Sequence, residues 1–290
     1  MTESRIAFAT CAKLAEGFED DREAARLLGA EFVVWDDPEV DWSRFDLVVI
    51  RSVWDYTIQR DAFVAWVRSL GDRVANQADL IAFNSDKAYL GALGVPTVPT
   101  TYVVPGGEAP RLRGEVVVKP TVSAGGRDTG RFDPDHHDEA RGLIAQINDS
   151  GRVAMVQPYV EGVDAQGETA VVFVGGELSH VLHKKPVLRE QGTQPLLDPD
   201  DPSSPAAVMH DDDLVTVSEA PPEFLDLAAS AHDQLAARFG MPLYLRVDMV
   251  PGPAGPVVME LEAVEPCLYL DLVPGAAERF ADAVRTRLTR

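Results

Sequence analysis

LRVDMVPGPAGPVVMELEAVEP, residues 245–266, reads as two apolar strands joined by a Gly/Pro turn, and it carries Asp248, Glu260 and Glu262. In MELE the glutamates alternate with Met259 and Leu261, so both point to one face of their strand. Like charges side by side on an apolar strand repel unless something cationic sits between them. Two magnesium ions bridging phosphates would resolve that repulsion; an ion-pair cluster with Arg246 is the plainer alternative. Upstream, EVVVKPTVSAGGRDTG (115–130) puts Lys119 at the end of an apolar run and follows it with a glycine-rich loop. A cation beside such a loop, facing carboxylates, is what a magnesium–nucleotide requires: donors for the phosphates and hard oxygen ligands for the metal.

The loop's Ser123, Ala124, Gly125 and Gly126 are small enough for backbone amides to approach phosphate oxygens. It is neither a GxxxxGK[ST] loop nor a GxGxxG turn. A second lysine, Lys87, sits behind Asn84-Ser85-Asp86 in the first turn of an expected helix that Asn84 and Ser85 cap and that runs through Leu93. Point cations of this kind bridge the α- and β-oxygens of a triphosphate.

Around these motifs the chain organises into three units. Residues 1–80 alternate strands (Arg5–Thr10, Phe32–Trp35, Leu47–Arg51) with helices (Asp20–Leu28, Asp61–Leu70), which implies a parallel α/β sheet with its ligand crevice past the strand C-termini. Residues 81–165 hold the strands TYVVP, EVVVKP and VAMVQPYV and a helix over His136–Asn148. Residues 166–290 hold a hairpin closed at Gly175 and Gly176, a long irregular segment from Pro186 to Asp213, a helix over Pro222–Phe239, the paired acidic strands and a closing helix from Pro274. A loop that long in a compact domain usually serves as a lid or a substrate contact.

The net charge of −21 leaves no basic stripe for a nucleic acid. No run approaches the roughly 20 apolar residues of a membrane span. The start, MTESRIAFATCAKL, lacks the basic and apolar regions of a secretion signal. Cys11 and Cys267 form neither a disulfide framework nor a metal motif; both read as buried packing residues, Cys267 as plain core. A cytoplasmic protein without nucleic-acid or membrane partners is expected, with homo-oligomerisation left open.

Taken in order, Lys87, VVVKP, SAGGR, QPYVEG, GETAVVF, HKKP, RVDM and MELE resemble the ATP-grasp superfamily. They are most similar to its glutathione-synthetase-like branch, which includes the D-cycloserine synthetases. The resemblance spans about residues 81–266 and implies an ATP-grasp fold of α/β (α+β) class behind a pre-ATP-grasp domain. It implies ATP and Mg2+ as cofactors, with Lys87 and Lys119 on the α- and β-phosphates and Ser123–Gly126 folding over the β- and γ-phosphates. Gln157, Tyr159 and Val160 would form the hinge that reads adenine, and Glu168 would take the ribose, with Glu161 and Asp164 as competitors. Lys184 or Lys185, together with Arg246, would be catalytic in steadying the γ-phosphate, and Asp248, Glu260 and Glu262 would be the metal ligands. Glu262 departs from the asparagine common at that position, which adds a negative charge to the metal site.

The implied reaction activates a substrate carboxylate as an acyl phosphate and forms a C–N bond, in the manner of an antibiotic-biosynthesis ligase. Ring closure of O-ureidoserine is one form; joining two amino acids is another, and a non-catalytic ATP-binding regulator is the reading from a different class. The small-molecule, amino-acid-like substrate would meet Arg51 and Asp55 in RSVWDY, where Trp54 and Tyr56 read equally as packing or contact residues, and Arg189, Gln191 and Thr193 in the long loop. His180 and His183 alternate ahead of Lys184 and read better as structural histidines than as site groups.

Overall fold

The structure, a computed structural model, describes residues 4–188 and 214–289. The expected substrate contacts Arg189, Gln191 and Thr193 lie outside the described residues.

The N-terminal strands β1 (Ile6–Thr10), β2 (Glu31–Val34), β3 (Leu47–Ile50) and β4 (Val74–Ala75) pair in the order β2-β1-β3-β4, each pair parallel. Every residue of Ile6–Thr10 and Leu47–Ile50 is buried, as strands covered on both faces require. Helix α1 (Glu19–Leu28) packs Ala24 and Ala25 on one side. Helix α2 (Arg60–Ser69) sets Phe63, Val64 and Val67 on the other, where Trp35, Trp42 and Trp66 complete an aromatic cluster.

Helix α3 (Ala78–Asn84) follows, and the expected break after residue 80 falls inside it: Leu80 belongs to the core of the C-terminal sheet and Ile81 to that of the N-terminal one. The helix expected to start at Asn84 instead ends there. Asp86 turns its carboxylate back onto the Ala88 amide and opens a 3₁₀ turn over Lys87–Ala92, a local side-chain-to-backbone bond that outcompetes helix continuation.

A second, antiparallel sheet follows, built from β5 (Thr101–Val103), β6 (Val116–Pro120), β7 (Gly130–Phe132) and β8 (Ala154–Pro158) in the order β5-β8-β6-β7. Helix α4 (His137–Asp149) buries Ala140, Leu143, Ile144 and Ile147 against Val116, Val118 and Phe132. The short helix α5 (Gly162–Gln166) then leads into the third sheet.

That sheet comprises β9 (Glu168–Val174), β10 (Glu177–Lys184), β11 (Val215–Ser218), β12 (Tyr244–Gly252) and β13 (Gly255–Glu262), antiparallel in the order β11-β10-β9-β12-β13. Gly175 and Gly176 close the β9–β10 hairpin with φ of 63° and 94°, left-handed values that glycine adopts without steric cost. One sheet face packs Val171, Phe173, Leu245 and Val247 onto Leu227, Ala228, Ala231 and Leu235 of α6 (Pro222–Phe239). At one end of the opposite face, Val172, Val174, Leu182 and Tyr244 sit under Phe280 and Val284 of α7 (Ala276–Leu288) and the N-terminal sheet. Further along that face the alternation continues with charged residues.

Candidate active site

The strand registers assemble that charged surface. Lys184 on β10 pairs with Glu168 on β9; across β12 and β13, Arg246 pairs with Glu262 and Asp248 with Glu260. This regular pairing keeps both glutamates on the face of Arg246 and Asp248, and beyond Asp248 a bulge shifts the register so that Met249 faces Val258. These six residues line a cavity of about 360 Å³. Its other walls come from Lys87, Lys119 and Ser123–Gly126 on one side, Gln157–Val160 at the end of β8, and Phe18, Trp54, Tyr56, Glu265, Cys267 and Tyr269 at the N-terminal sheet.

The charges lie close enough to fix one another. Lys184 Nζ stands 2.8 Å from Asp248 and 3.1 Å from Glu168. Arg246 donates from Nε and Nη2 to both Asp248 oxygens at 2.8 Å, and from Nη2 to Glu262 at 2.6 Å. Burial works against a charged Asp248, yet Arg246 and Lys184 hold its carboxyl well below the usual range. Burial wins at Glu262 and pushes it up to about 7 in spite of Arg246. Lys87 donates to the Ser123 carbonyl at 2.5 Å and pairs with Glu260 at 3.0 Å.

Lys119 differs from the other cations. Among the described residues it has no hydrogen bond or ion pair, and burial, with Lys87 and Lys184 nearby, lowers its pKa. Beside it, Gly125 (φ 64°) and Gly126 (φ 74°) turn the loop through the left-handed region, where a Cβ would be strained. An Arg152–Asp128 ion pair of 2.7 Å anchors the loop's far side.

The Gln157–Val160 end is built differently. Gln157 donates to Thr100 Oγ1 at 2.9 Å, while Tyr159 and Val160 face the cavity. Arg131 stacks 3.5 Å over the Tyr159 ring, forks onto Asp164 at 2.9 and 2.8 Å, and donates to the Leu188 carbonyl at 3.1 Å. Asp164, one of the ribose candidates, is thereby committed, whereas Glu168 lines the cavity.

Sequence reasoning misplaced several residues. Arg51 is only 2% exposed; its guanidinium is spent on Asp21 at 2.7 Å and the Pro266 carbonyl at 3.0 Å, and it does not line the cavity. Asp55 likewise turns away and accepts from Trp35 Nε1 at 2.9 Å. Their neighbours Trp54 and Tyr56, in the 3₁₀ turn over Trp54–Ile58, take the cavity positions. Cys267 lines the cavity rather than plain core, but burial raises its thiol pKa and keeps it an unreactive thiol.

Of the alternative lysines, Lys184 is buried in the cavity and Lys185 is exposed. His180 bonds the Leu268 carbonyl and His183 that of Gln166, and neither lines the cavity. Sequence reasoning missed Glu265, which follows the end of β13 and so escapes the strand's alternation, and Arg131, which has no motif around it.

Three sheets meeting at a cavity where lysines, a glycine loop and a carboxylate-bearing sheet converge define an ATP-grasp ligase. Solved structures share the fold. A D-alanine–D-alanine ligase from Bacillus anthracis complexed with ATP superposes with a TM-score of 0.64 at 14% identity, over 99% of this chain and 98% of that one. An ATP-grasp RimK domain protein from Sphaerobacter thermophilus does so at 0.61 and 18%, over 97% and 100%.

Within that class the chain belongs to the D-cycloserine synthetase (DcsG) family, and it is an ATP-dependent ligase of that type. The cycloserine biosynthesis protein DcsG of Streptomyces lavendulae is 36% identical over 92% of each chain. The crystal structure of D-cycloserine synthetase DcsG superposes at a TM-score of 0.84 and 32% identity, over 98% of this chain and all of that one. The family model for the N-terminal domain of D-cycloserine synthetase DcsG matches residues 6–76. Among the described residues no helix is long and apolar enough to cross a membrane.

Proposed function

We propose that the protein activates the carboxylate of a small amino acid with ATP and closes it onto a nitrogen of the same molecule, O-ureidoserine being the model substrate and antibiotic biosynthesis the setting. The observation that carries this reading is the charged face of the C-terminal sheet, where Lys184, Arg246, Asp248, Glu260 and Glu262 meet Lys87 and Lys119 across one cavity. In this reading the N-terminal sheet receives the amino acid and the two antiparallel sheets hold the nucleotide between them.

Lys87, Lys119 and the Ser123–Gly126 amides bind the phosphates. Tyr159 and Val160 offer backbone groups to adenine, and Glu168 takes the ribose. Lys184 and Arg246 steady the transferred phosphoryl group. A substrate carboxylate oxygen bonds to the γ-phosphorus as the bond to ADP breaks. The nitrogen then bonds to the acyl carbon, losing its proton as phosphate departs with the C–O electron pair. The protein's part is positioning and charge neutralisation.

The donors suit Mg2+. Asp248, Glu260 and Glu262 are hard oxygen ligands, but among the described residues no group of three or more acidic, histidine or cysteine side chains forms a ready metal cluster. That fits an ion held through one or two carboxylates plus substrate phosphates. When bound it would neutralise phosphate charge.

The test is ADP release from Mg–ATP across a panel of amino-acid carboxylates including O-ureidoserine, with and without hydroxylamine. Substrate-dependent ADP with hydroxamate trapping is expected, and Glu260→Gln should cut turnover by about 100-fold or more while preserving the fold. ATP binding without ADP release from any panel member would favour a non-catalytic nucleotide-binding role. Full activity in Glu260→Gln would remove that residue from the metal site.

A further inference from the structure

The end of the cavity under the N-terminal sheet contains a carboxylate that the nucleotide does not need. Glu265 lines the cavity beside Trp54, Tyr56, Phe18 and Tyr269, and the neighbouring Tyr56 hydroxyl favours its charged form. No lysine or arginine forms an ion pair with it among the described residues, whereas Glu168, Asp248, Glu260 and Glu262 each have one.

Its backbone is fixed from several directions. Trp54 Nε1 donates to the Glu265 carbonyl at 3.2 Å, Arg51 to that of Pro266 at 3.0 Å, and Arg246 to that of Cys267 at 2.8 Å. Tyr244 donates to the Val264 carbonyl at 2.9 Å, and Asp20 accepts from the amides of Leu268, Tyr269 and Leu270. Tyr269 is held at φ 54°, a left-handed conformation uncommon outside glycine. Side chains from α1, the segment after β3 and β12 thus converge on one short segment, and its one acid lines the cavity. Such multiple pinning is what preorganises a recognition group.

We infer that Glu265, oriented by Tyr56, is the receptor for the α-ammonium group of the amino-acid substrate. The inference rests on the proposed carboxylate-activating function and adds the group that selects an amino acid over a plain carboxylic acid. Phe18 stacks edge-on against Trp54 at 4.9 Å, and this pair forms an apolar wall that leaves the acid few other donors. A desolvated acid without a cation is costly, and a ligand ammonium removes that cost. Burial and Glu262 push Glu265 up to about 8, and Lys87, which forms no ion pair with it, offsets them only in part.

The experiment uses the full chain with Mg–ATP and two probes: O-ureidoserine and its analogue without the amino group, 3-(ureidooxy)propanoic acid. The wild type should turn over the amino acid far better than the analogue. Glu265→Gln should raise KM for O-ureidoserine about 10- to 100-fold, the value of one charged hydrogen bond, and erase the preference between the probes. ATP affinity, measured separately, should stay within about threefold. Tyr56→Phe, which retains the ring, should shift the same preference more weakly, so the idea stays testable if the glutamine variant does not fold.

Equal use of the two probes by the wild type, with ADP released from both, would overturn the ammonium receptor and leave carboxylate activation standing. ADP release from no carboxylate would overturn both. Loss of ATP affinity in Glu265→Gln matching its KM change would assign the residue to the fold instead.

Discussion

Replacing Lys119 with methionine should stabilise the nucleotide-free protein while weakening ATP binding. Lys184 has carboxylate partners at 2.8 and 3.1 Å, and Lys87 has one at 3.0 Å. Lys119 has none among the described residues, and burial already drives its ammonium toward the neutral form. Methionine keeps the volume and removes a buried charge that Glu260 and Glu168 attract but that no ion pair holds, a change of the class that gains about 0.5–2 kcal/mol. At about 2–4 °C per kcal/mol for a chain somewhat smaller than this one, the midpoint should rise measurably. Lys184→Met has the opposite sign. It leaves Asp248 and Glu168 buried with one cation fewer and should cost about 3–5 kcal/mol.

With ATP the order changes. A charged hydrogen bond to phosphate contributes about 1.5–3 kcal/mol, so Lys119→Met should weaken the ATP Kd about 10- to 100-fold. Thermal unfolding of both variants without nucleotide, followed by ATP titration calorimetry, reads the two effects separately. A Lys119→Met midpoint falling as far as that of Lys184→Met would refute the claim that Lys119 lacks an internal partner. An unchanged ATP Kd would remove it from the phosphate site.

Arg51→Met should destabilise by about 3–5 kcal/mol, because it leaves Asp21 buried without its partner; KM for the amino acid per folded molecule should change far less than in Glu265→Gln, and a change of similar size would return Arg51 to the substrate. Titration of Glu265 gives a pH signature. The groups acting on its carboxyl are Glu262, Lys87, Glu260 and Tyr56, and it is protonated below about 8 in the free protein. Capturing an ammonium requires the carboxylate, so binding O-ureidoserine at pH 7 should release close to one proton. Affinity should rise with pH up to about 8 and then level off. Calorimetry in buffers of different ionisation enthalpy measures this, and a heat independent of buffer would contradict it.

Local chemistry was legible in the sequence where one strand carried it. Alternation in MELE placed Glu260 and Glu262 on one face, and apolar runs gave the strands around Lys119 and Asp248. The parallel N-terminal sheet followed from buried, β-branched runs alternating with amphipathic helices. What failed depended on orientation after a strand ends. Arg51 and Asp55 have the residue types a substrate site wants, but Arg51 is claimed by Asp21, which is distant in sequence, and Asp55 by the Trp35 indole. Glu265 was passed over because its significance comes from contacts with residues as far off as Trp54 and Tyr56, which only the folded chain brings near. The break placed after residue 80 missed that α3 serves both cores, with Asn84 bonding the Leu261 carbonyl and the Ala263 amide.

The carboxylates proposed for the metal are the same ones that hold Lys87, Lys184 and Arg246 in place, and on that proposal they serve twice. Without nucleotide, Asp248, Glu260 and Glu262 must be neutralised, or burial would push them all toward the acid form; Lys87, Lys184 and Arg246 do this at 2.6–3.0 Å. On the proposed reading, phosphate oxygens brought into the cavity would compete for those same cations, and each cation that turned to a phosphate would free a carboxylate for a hard cation. A site of this kind need not hold a preformed metal cage, and among the described residues none is present. Glu262 marks the limit of the exchange. Among the described residues Arg246 is its one ion-pair partner, and it is already pushed up to about 7, so of the three it is the carboxylate least committed to its charge before a ligand arrives.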